Sequence, residues 1–561
     1  MKQMFKYIYL VAVLYLSMHM AQARVVTIDA DQARGELTQY LRGKCKLASR
    51  TDTVVVNFGN GEYVLEGSVE FKCSAIIKGK GRDKTVIILD KGSDRKGFKA
   101  FTDDTYLKIF GTVSQPVTVD ISDLSIKLKQ HQGIWWDGGR CHAIKIYHAN
   151  HVNITRTDSY MQNAMITNID LRVCSNVSVT DCVISNYNNC LEGGNLWIRG
   201  DIHNINIKRN KFYKYGNDEA IGVYGSVLDA NAQINGNASR TDIFIEDNEI
   251  NYGYTGKDKN PELVNHTLLT LQTGSHGQSW VVTTRNFNVR NNIFRIKDQT
   301  ARCIFVSLPV TDRHQGICFD SNQIIHENLH SSKQYYRQDI EVNDKTIGQD
   351  AIRIINNTVT NNNPVLNPSK TIGYSFLLMQ GGNVEMNDNK VVSTVTKDPY
   401  TGKECGVQLV WCGADGGIVT MRNNVCKGVK CISTVGAGGG TKHFTLNAFN
   451  NYFVGDTRVY CHKVERLDIN FTGNTLICDN MNFFLQEFAT KGSVVFNNND
   501  VKVSSGDGRF MTHWAKTSTD DMRFEKLEVK NNVFQGVKSE QDMFKKMTNV
   551  KKRSIRSNTI R

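Results

Sequence analysis

Proline is scarce in this chain, and so are linkers. Only 6 of the 561 residues are Pro, and no Pro-, Ser- or Gly-rich stretch interrupts the sequence. At about 100–200 residues per domain the length would suggest three or four domains, but domain boundaries normally fall in such linkers. A repeat fold can extend one domain to this length, because each unit packs only on its neighbours. The contents of 40% hydrophobic and 22% charged residues exclude a disordered chain.

Long apolar runs are absent beyond the first residues. Lys2 and Lys6 precede an apolar stretch from Tyr7 to Leu16, and Ala21-Gln-Ala23 provides small residues for cleavage. This order is typical of a signal peptide, which we predict over residues 1–23. Because the stretch is short for a spanning helix, we expect a secreted or periplasmic protein with no integral membrane segment.

Acidic residues are in the minority. The chain has 68 Lys and Arg against 55 Asp and Glu, which gives a net charge of +13. A positive field of this kind favours polyanionic partners. Export makes nucleic acid an unnatural partner, so we expect an acidic polysaccharide and no nucleic acid.

Zinc-type cysteine spacing is also missing. The 14 cysteines include no CxxC pair and no Cys/His cluster of the kind that binds zinc. Disulfides are allowed in an exported protein, but half of the cysteines lie within or beside strand-like apolar segments. We expect most of these to be buried thiols, namely Cys174, Cys182, Cys190, Cys303, Cys318, Cys426 and Cys478.

What the sequence does contain is a repeat. Its pattern is apolar-x-apolar, two or three residues, Asn or once Asp, any residue, and an apolar residue, as in Ile205-Asn-Ile-Lys-Arg-Asn210-Lys-Phe. Successive copies lie 23 to 44 residues apart, which indicates a fixed unit with loops of variable length. The copies centre on Asp181, Asn210, Asn248, Asn292, Asn322, Asn357, Asn389, Asn424, Asn451, Asn474, Asn499, Asn532 and Asn558.

Each unit also carries a second apolar segment with strand-like alternation upstream of the Asn pattern, such as Ala143-Ile-Lys-Ile-Tyr147. Two or three short strands per unit describe one coil of a β-solenoid. Asn at a turn tolerates left-handed backbone angles, and its amide can bond to the turn of the next coil. The repeat therefore predicts a ladder of stacked asparagines.

The opening segment Val54-Val-Val-Asn-Phe-Gly-Asn-Gly-Glu-Tyr63, together with this repeat, resembles the pectate-lyase-like superfamily. The resemblance covers roughly residues 50–561. It implies an all-β, right-handed, single-stranded parallel β-helix of about 13 or more coils, placed here at residues 51–561. Residues 24–50, with helix formers after Asp29, are predicted to form an N-terminal capping helix. This fold hosts lyases, hydrolases, esterases and phage adhesins, so it names no activity alone.

The interior of a β-helix is packed, so we expect the functional site on an outer face framed by the long loops between Asn210 and Asn292. Coils lie about 4.8 Å apart, and aligning them by pattern brings polar residues of neighbouring coils together. Trp197 provides a ring that could stack on a sugar. The polar candidates are Lys145, Tyr147, Asn189, Glu192, Arg199, Asp218, Glu219, Tyr224, His266, Gln272 and Arg302.

Three chemical interpretations follow. In the first, converging oxygens bind Ca²⁺, similar to the calcium-dependent β-helix lyases that act on alginate and dermatan. In those enzymes an Asn and two acidic residues hold the ion that neutralises the substrate carboxylate. They also place a base Lys soon after the second acidic residue, whereas residues 220–229 contain no Lys. The ligands would be Asn189, Glu192, Asp218 and Glu219.

In the second, Asp218 and Glu219 act as general acid and base of hydrolysis, since Gly216-Asn-Asp-Glu219 resembles the paired-acid strand of polygalacturonases. The third is metal-free β-elimination from a uronate. Here His266 or Lys145 is the base, Tyr224 is the acid, and Arg199 or Arg302 clamps the carboxylate. The substrate would also contact Tyr147, Trp197 and Gln272.

Export, fold and charge together favour a secreted polysaccharide lyase, which we expect to be a monomer. A glycosaminoglycan such as chondroitin or dermatan sulfate suits the positive charge, and pectin and alginate stay open. A glycoside hydrolase and a non-catalytic glycan-binding β-helix are the alternatives.

Overall fold

The chain is a right-handed parallel β-helix built from three sheets. The computed structural model describes residues 23–90, 105–129, 141–162, 166–187, 193–215, 219–225, 238–253, 266–273, 281–296, 301–326, 337–346, 348–361, 374–394, 407–435, 441–455, 458–462, 464–479, 482–486, 491–504, 509–513, 525–545 and 550–561. Each coil contributes a strand to sheet A, then to sheet B, then to sheet C, and every strand pairs in parallel with the next coil.

Sheet A contains the upstream strands of the repeat, at Val69–Phe71, Thr105–Phe110, Leu196–Arg199, Ile221–Tyr224, His266–Gln272, Ala301–Leu308, Arg337–Asp344, Tyr374–Met379, Val407–Cys412, Val429–Val435, Arg458–His462, Asn482–Gln486 and Arg509–His513. Three longer strands bend from one sheet into the next. These are Val117–Leu128 (sheets B and C), Cys141–Gln162 (sheets A, B and C) and Ile166–Thr180 (sheets A and B).

Sheet B contains the strands Val25–Asp29, Thr53–Asn57, Ser74–Lys78, Ile202–Lys208, Ala238–Glu246, Val282–Arg290, Arg313–Asp320, Ile352–Ile355, Asn383–Asn387, Gly417–Arg422, Thr441–Phe449, Val464–Thr472, Lys491–Asn497, Lys526–Lys530 and Lys552–Arg556. Sheet C contains Gly61–Glu66, Thr85–Asp90, Val183–Tyr187, Lys211–Tyr215, Glu249–Tyr252, Ile293–Ile296, Gln323–His326, Thr358–Asn361, Lys390–Ser393, Val425–Lys427, Tyr452–Val454, Thr475–Cys478, Asp500–Val503, Val533–Gln535 and Thr559–Ile560.

The N-terminal segment is helical in part. Val25–Asp29 is a strand that pairs with Thr53–Asn57, and a 3-10 turn follows at Ala30–Ala33. The α-helix runs from Leu37 to Leu47, eight residues later than the Asp29 start that the sequence suggested. The difference arises because the 3-10 turn follows Asp29 directly and the α-helix begins only after the N-cap residue Glu36. A second short helix spans Glu540–Phe544. Among the described residues no helix is long and apolar enough to cross a bilayer.

The predicted asparagine ladder is present between sheets B and C. In each step the backbone N–H of one Asn donates to the side-chain Oδ1 of the Asn in the next coil, at 2.8–3.1 Å. Each ladder Nδ2 also donates to a strand carbonyl, as Asn357 does to Phe319 at 2.9 Å. The ladder runs without a break from Asn210 to Asn558.

Two details of the ladder differ from the sequence interpretation. The left-handed residue is the one before the ladder Asn, for example Arg209 (φ 55°) and Asp247 (φ 57°). Asp181 occupies that left-handed position (φ 56°), and Cys182 takes the ladder position, where its N–H donates to Asn210 Oδ1. Two neighbouring residues thus make the backbone turn and the inter-coil hydrogen bond.

Thiols fill several interior positions. Six of the seven cysteines predicted to be buried thiols are buried and unbridged, and Cys190 lies outside the described residues. Burial raises the pKa of the Cys174 and Cys182 thiols to about 12. These side chains are therefore protonated, packed groups and not reactive thiolates.

Candidate functional site

The outer face of sheet A carries two adjacent rows of chemically active side chains. Strand pairing stacks residues of successive coils about 4.8 Å apart. The first row is Lys145, Asp170, Trp197, Gly222 and Thr270, and the second is Tyr147, Arg172, Arg199, Tyr224 and Gln272. Six predicted residues therefore lie together in this surface, which we call the sheet A site.

Asp170 is the centre of the sheet A site. Its carboxylate is fully buried and lies 2.9 Å from Arg172 Nη2 and 3.4 Å from Arg199 Nε. Burial by itself would raise the pKa of Asp170, but Arg172, Arg199, His142 and Lys145 together hold it below its ordinary value. Asp170 is therefore an anion that orders the cations around it.

His142 lies beside this carboxylate, with Nδ1 3.5 Å from Asp170 Oδ2. Burial lowers the pKa of His142 well below its ordinary value, although Asp170 opposes the shift. The imidazole is therefore neutral at physiological pH. A neutral imidazole is able to accept a proton.

An aromatic wall borders the cluster. The guanidinium of Arg199 lies 4.0 Å from the Trp197 ring centre and 5.2 Å from that of Tyr224. A Cβ at Gly222 would come within 2.4 Å of the Tyr224 ring and 3.0 Å of the Trp197 ring, so the missing side chain makes room for both rings. Arg199 is thus held from two sides while 14% of its side chain stays exposed.

The burial of several residues changes the predicted roles. Trp197 is only 3% exposed, so its ring is part of the wall and not an open platform for a sugar. Lys145 and Tyr147 are also buried, and the Lys145 Nζ lies 5.1 Å from the Tyr147 ring centre. The accessible part of the site consists of the partly exposed Arg199, Glu219, Tyr224 and Gln272.

Glu219 lies at the start of the strand Ile221–Tyr224. One carboxylate oxygen accepts a hydrogen bond from Thr270 Oγ1 at 3.3 Å, and the other is buried without a hydrogen-bond partner among the described residues. Arg302 is differently placed, since its Nη1 lies 2.6 Å from Glu341 Oε2 and its guanidinium packs 4.6 Å from the Phe305 ring centre. Its charge is already compensated, which leaves Arg199 as the better carboxylate clamp.

The predicted calcium ligands are mostly outside the described residues. Asn189, Glu192 and Asp218 fall there, and of the four only Glu219 is placed. His266 lies on a described strand, where it pairs with Ala301. No group of three or more His, Cys, Asp or Glu within the described ranges could hold a metal ion. Calcium binding and the roles of these residues stay predictions.

Sequence reasoning missed Asp170, Arg172 and His142. The sequence does contain a signal for Asp170 and Arg172. The segment Ile169-Asp-Leu-Arg-Val173 has the same apolar–polar alternation as Ile144-Lys-Ile-Tyr147 and lies one coil later, so its polar residues occupy the same outward positions. His142 precedes that alternation, and only the coil packing brings its ring to Asp170.

A buried arginine supports the site from inside the solenoid. Arg240 is fully buried, and its Nη1 donates to the carbonyl oxygens of Gln272 (2.8 Å) and Val223 (3.4 Å). Its Nε donates to Thr284 Oγ1 at 3.0 Å. Burial lowers the pKa of Arg240 to about 10, so the group stays protonated at neutral pH. It therefore ties together the ends of the two strands that present Tyr224 and Gln272.

Comparison with known proteins identifies no family. No protein-family model and no curated protein matches the chain. Among solved structures, the chain is similar to the catalytic unit of a thermostable GH87 alpha-1,3-glucanase from Streptomyces thermodiastaticus strain HF3-3. The identity is 10%, the match covers 95% of this chain and 69% of that one, and the TM-score is 0.27.

Two other solved structures give matches of the same kind. A GH87 alpha-1,3-glucanase catalytic domain in complex with tetrasaccharides matches at 11% identity, over 96% of this chain and 69% of that one, with a TM-score of 0.24. The Pseudomonas phage phi297 tailspike gp61 matches at 9% identity, over 90% and 73%, with a TM-score of 0.23. Likenesses this distant identify no activity, and the strand pairing itself defines the fold.

Proposed function

We propose that the protein binds an acidic, uronate-containing polysaccharide at the sheet A site and cleaves it by β-elimination. The observation that supports this most directly is the placement of Arg199 on the outer face of sheet A. Its guanidinium lies 3.4 Å from the buried carboxylate of Asp170 and packs against the rings of Trp197 and Tyr224, while part of its side chain stays exposed. A partly exposed guanidinium held in a fixed position suits an anionic group of the substrate.

Arg199 is the residue best placed to receive that group. Its side chain is more exposed than those of Lys145 and Arg172. Guanidinium groups bind carboxylates in a bidentate manner. A uronate carboxylate bound there would have its negative charge neutralised.

Neutralisation of the carboxylate makes the adjacent C5 proton more acidic. A base removes that proton, the electron pair forms a C4–C5 double bond, and the bond from C4 to the glycosidic oxygen breaks. An acid then protonates the departing oxygen. The partly exposed phenol of Tyr224 is assigned as the acid. His142 and Lys145 are both buried, so His266, on the strand next to that of Tyr224, is the base to test first.

The polymer class follows from charge. The net charge of +13 suits a densely anionic chain. Chondroitin or dermatan sulfate is therefore the first substrate to test, with pectin and alginate next.

Hydrolysis is the second candidate, on the observation that Glu219 keeps one buried oxygen without a hydrogen-bond partner among the described residues. Hydrolysis of this type needs a pair of carboxyl groups. Asp170 and Glu341 are both neutralised by arginines, so Glu219 would have to work with Asp218.

The test is to incubate the protein with chondroitin sulfate, dermatan sulfate, alginate and polygalacturonate, with calcium and with chelator. The ultraviolet absorbance of the new double bond and the release of reducing ends are followed together. We expect absorbance to rise, Arg199→Ala to lower kcat/KM by about 10²–10³, and Tyr224→Phe to lower kcat by about 10²–10⁴. Matched controls are Arg209→Ala and Tyr452→Phe, which change exposed residues of other sheets.

The outcomes separate the alternatives. Reducing ends without absorbance would replace elimination by hydrolysis. Binding without either product would indicate a non-catalytic glycan-binding protein. Loss of the absorbance signal with chelator would support the calcium prediction.

A further inference from the structure

Phe110 lies at the edge of the sheet A site nearest the N-terminal end of the solenoid. It is partly exposed, and its ring contacts the ring of Tyr147 in the next coil with centroids 6.4 Å apart. Two cations approach the Phe110 ring, with the guanidinium of Arg50 at 5.7 Å and the ammonium of Lys108 at 5.3 Å from its centre. The ring is therefore an apolar surface bordered by positive charge.

The charge around Phe110 is unbalanced. Glu70 is the carboxylate that pairs here, at 3.4 Å from Lys72 and 4.0 Å from Lys108. Arg50 is exposed and forms no ion pair with any described residue. Lys72 and Lys108 thus share one partly exposed carboxylate and Arg50 pairs with none, which leaves positive charge available to a ligand.

The opposite end of the site does not have this surplus. There Phe305 also packs against an arginine, but the Arg302 charge is compensated by Glu341 at 2.6 Å. The two aromatic–cation pairs therefore differ in whether a carboxylate compensates the positive charge of the arginine. An acidic chain is attracted toward Phe110 and not toward Phe305.

We propose that Phe110, Arg50 and Lys108 form a distal subsite for an acidic sugar of the same polysaccharide chain. The subsite rests on the proposed function. It specifies that the bound polymer extends across the strands of sheet A from Arg199 toward Phe110. Phe110, Tyr147, Arg172 and Arg199 lie on four consecutive strands, so at ~4.8 Å per strand the subsite is ~14 Å from Arg199. A sugar face packs on the Phe110 ring, and its acidic group pairs with Arg50 and Lys108.

The test uses length-defined ligands. Dissociation constants are measured for polymeric chondroitin sulfate, for polygalacturonate and for the disaccharide of each. The variants are Arg50→Glu and the double change Arg50→Ala with Phe110→Ala. Arg50→Glu alters a single exposed side chain, and thermal unfolding of both variants is followed to establish that they fold.

We expect the polymer Kd to rise about tenfold, equivalent to about 1.4 kcal/mol, while the disaccharide Kd stays unchanged because the disaccharide cannot span the two positions. The matched control is Arg422→Ala with Phe449→Ala, a similar pair on sheet B whose guanidinium lies 4.5 Å from the ring centre. This control should leave both constants unchanged.

Three results would overturn the subsite: unchanged polymer affinity in Arg50→Glu, an equal loss in the control pair, or an equal loss for the disaccharide. If no polymer is cleaved but Arg50→Glu still weakens polymer binding, elimination is wrong and the subsite stands. If the polymer is cleaved by Arg50→Glu with the wild-type KM, elimination stands and the subsite is wrong. If the wild-type protein binds neither polymer, both proposals fail.

Discussion

Asp170 illustrates how a single residue organises the sheet A site. Its carboxylate is buried between Arg172 and Arg199, and it also faces His142 and Lys145. Replacing both partners of a buried ion pair can be neutral, whereas removing one leaves the other charge uncompensated. Arg172 and Arg199 both lie within ion-pair distance of Asp170, so removing its carboxylate takes a buried partner away from each of them.

We therefore expect Asp170→Asn to lower the free energy of unfolding by about 3–5 kcal/mol at neutral pH. The pKa of Asp170 is lower in the folded than in the unfolded chain, so its stabilisation is present above about pH 4 and is lost as the pH falls below that. The difference between wild type and variant should accordingly shrink in acid. Denaturant unfolding at a series of pH values measures this.

The matched control for this prediction is Asp181→Asn. Asp181 pairs with Arg209 at 2.8 Å, but both side chains are exposed. Exposed pairs contribute about 0–1 kcal/mol. Equal destabilisation by the two changes would contradict the central role assigned to Asp170.

At the scale of the structural element, the asparagine ladder joins the coils. Before Asn210 the same position holds Cys182 and, one coil earlier, Thr157. Each of these side chains contacts a backbone carbonyl oxygen of an earlier coil. Thr157 Oγ1 donates to the carbonyl of Ile121, Cys182 Sγ contacts the carbonyl of Ile154, and Asn210 Nδ2 donates to the carbonyl of Val179. The position thus needs a short side chain with a donor, and Asn adds an acceptor for the neighbouring coil.

Asn357→Ala should test the ladder. The change leaves the N–H of Asn322 without its acceptor and the carbonyl of Phe319 without its side-chain donor. Each buried unsatisfied group costs about 1–3 kcal/mol, so we expect a total loss of about 2–5 kcal/mol in denaturant unfolding. Asn357→Thr should cost less, because Thr157 already serves at this position in an earlier coil.

Asn288→Ala provides the control for the ladder. Its side chain is only partly buried and donates to Asn286 at 2.6 Å on the surface. Surface changes of this kind usually stay within about 0.5 kcal/mol. A ladder variant as stable as this control would mean that strand pairing alone joins the coils.

At the scale of the whole molecule, the parallel stack places cations of separate coils on the same side of the solenoid. Cations of separate coils, from Arg50 and Lys108 to Arg199, lie along one face, while other cations such as Arg209 are paired on other sheets. The acidic polymer proposed as substrate would therefore be attracted along the length of this face and not at a single point.

We expect the affinity for chondroitin sulfate to fall at least about tenfold between ~0.05 and ~0.5 M salt, because the Debye length shortens across that range. Affinity electrophoresis at several salt concentrations measures this. Arg50→Glu should weaken the salt dependence, whereas Arg422→Ala should not. An affinity independent of salt would contradict an electrostatic contribution along the face.

The local pattern of the sequence determined the class of fold. Apolar alternation and the recurring Asn predicted short parallel strands, a solenoid and the ladder, since each depends on residues within one coil and its nearest neighbour. The buried thiols Cys174 and Cys182 followed from the same alternation. The N-terminal helix was predicted to begin at Asp29, whereas it begins at Leu37. The pairing of the strand Val25–Asp29 with the next coil is a tertiary property that the local pattern does not contain.

The composition of the site was predictable in part, since Lys145, Tyr147, Arg199, Tyr224 and Gln272 follow from aligning the coils. Tertiary structure alone decided the pairings and the burial. Arg302 is neutralised by Glu341, Trp197 is enclosed, and Asp170 is placed among three cations. The reason is that a side chain's neighbours across coils depend on the exact strand register and on loops of unequal length, neither of which a local pattern contains.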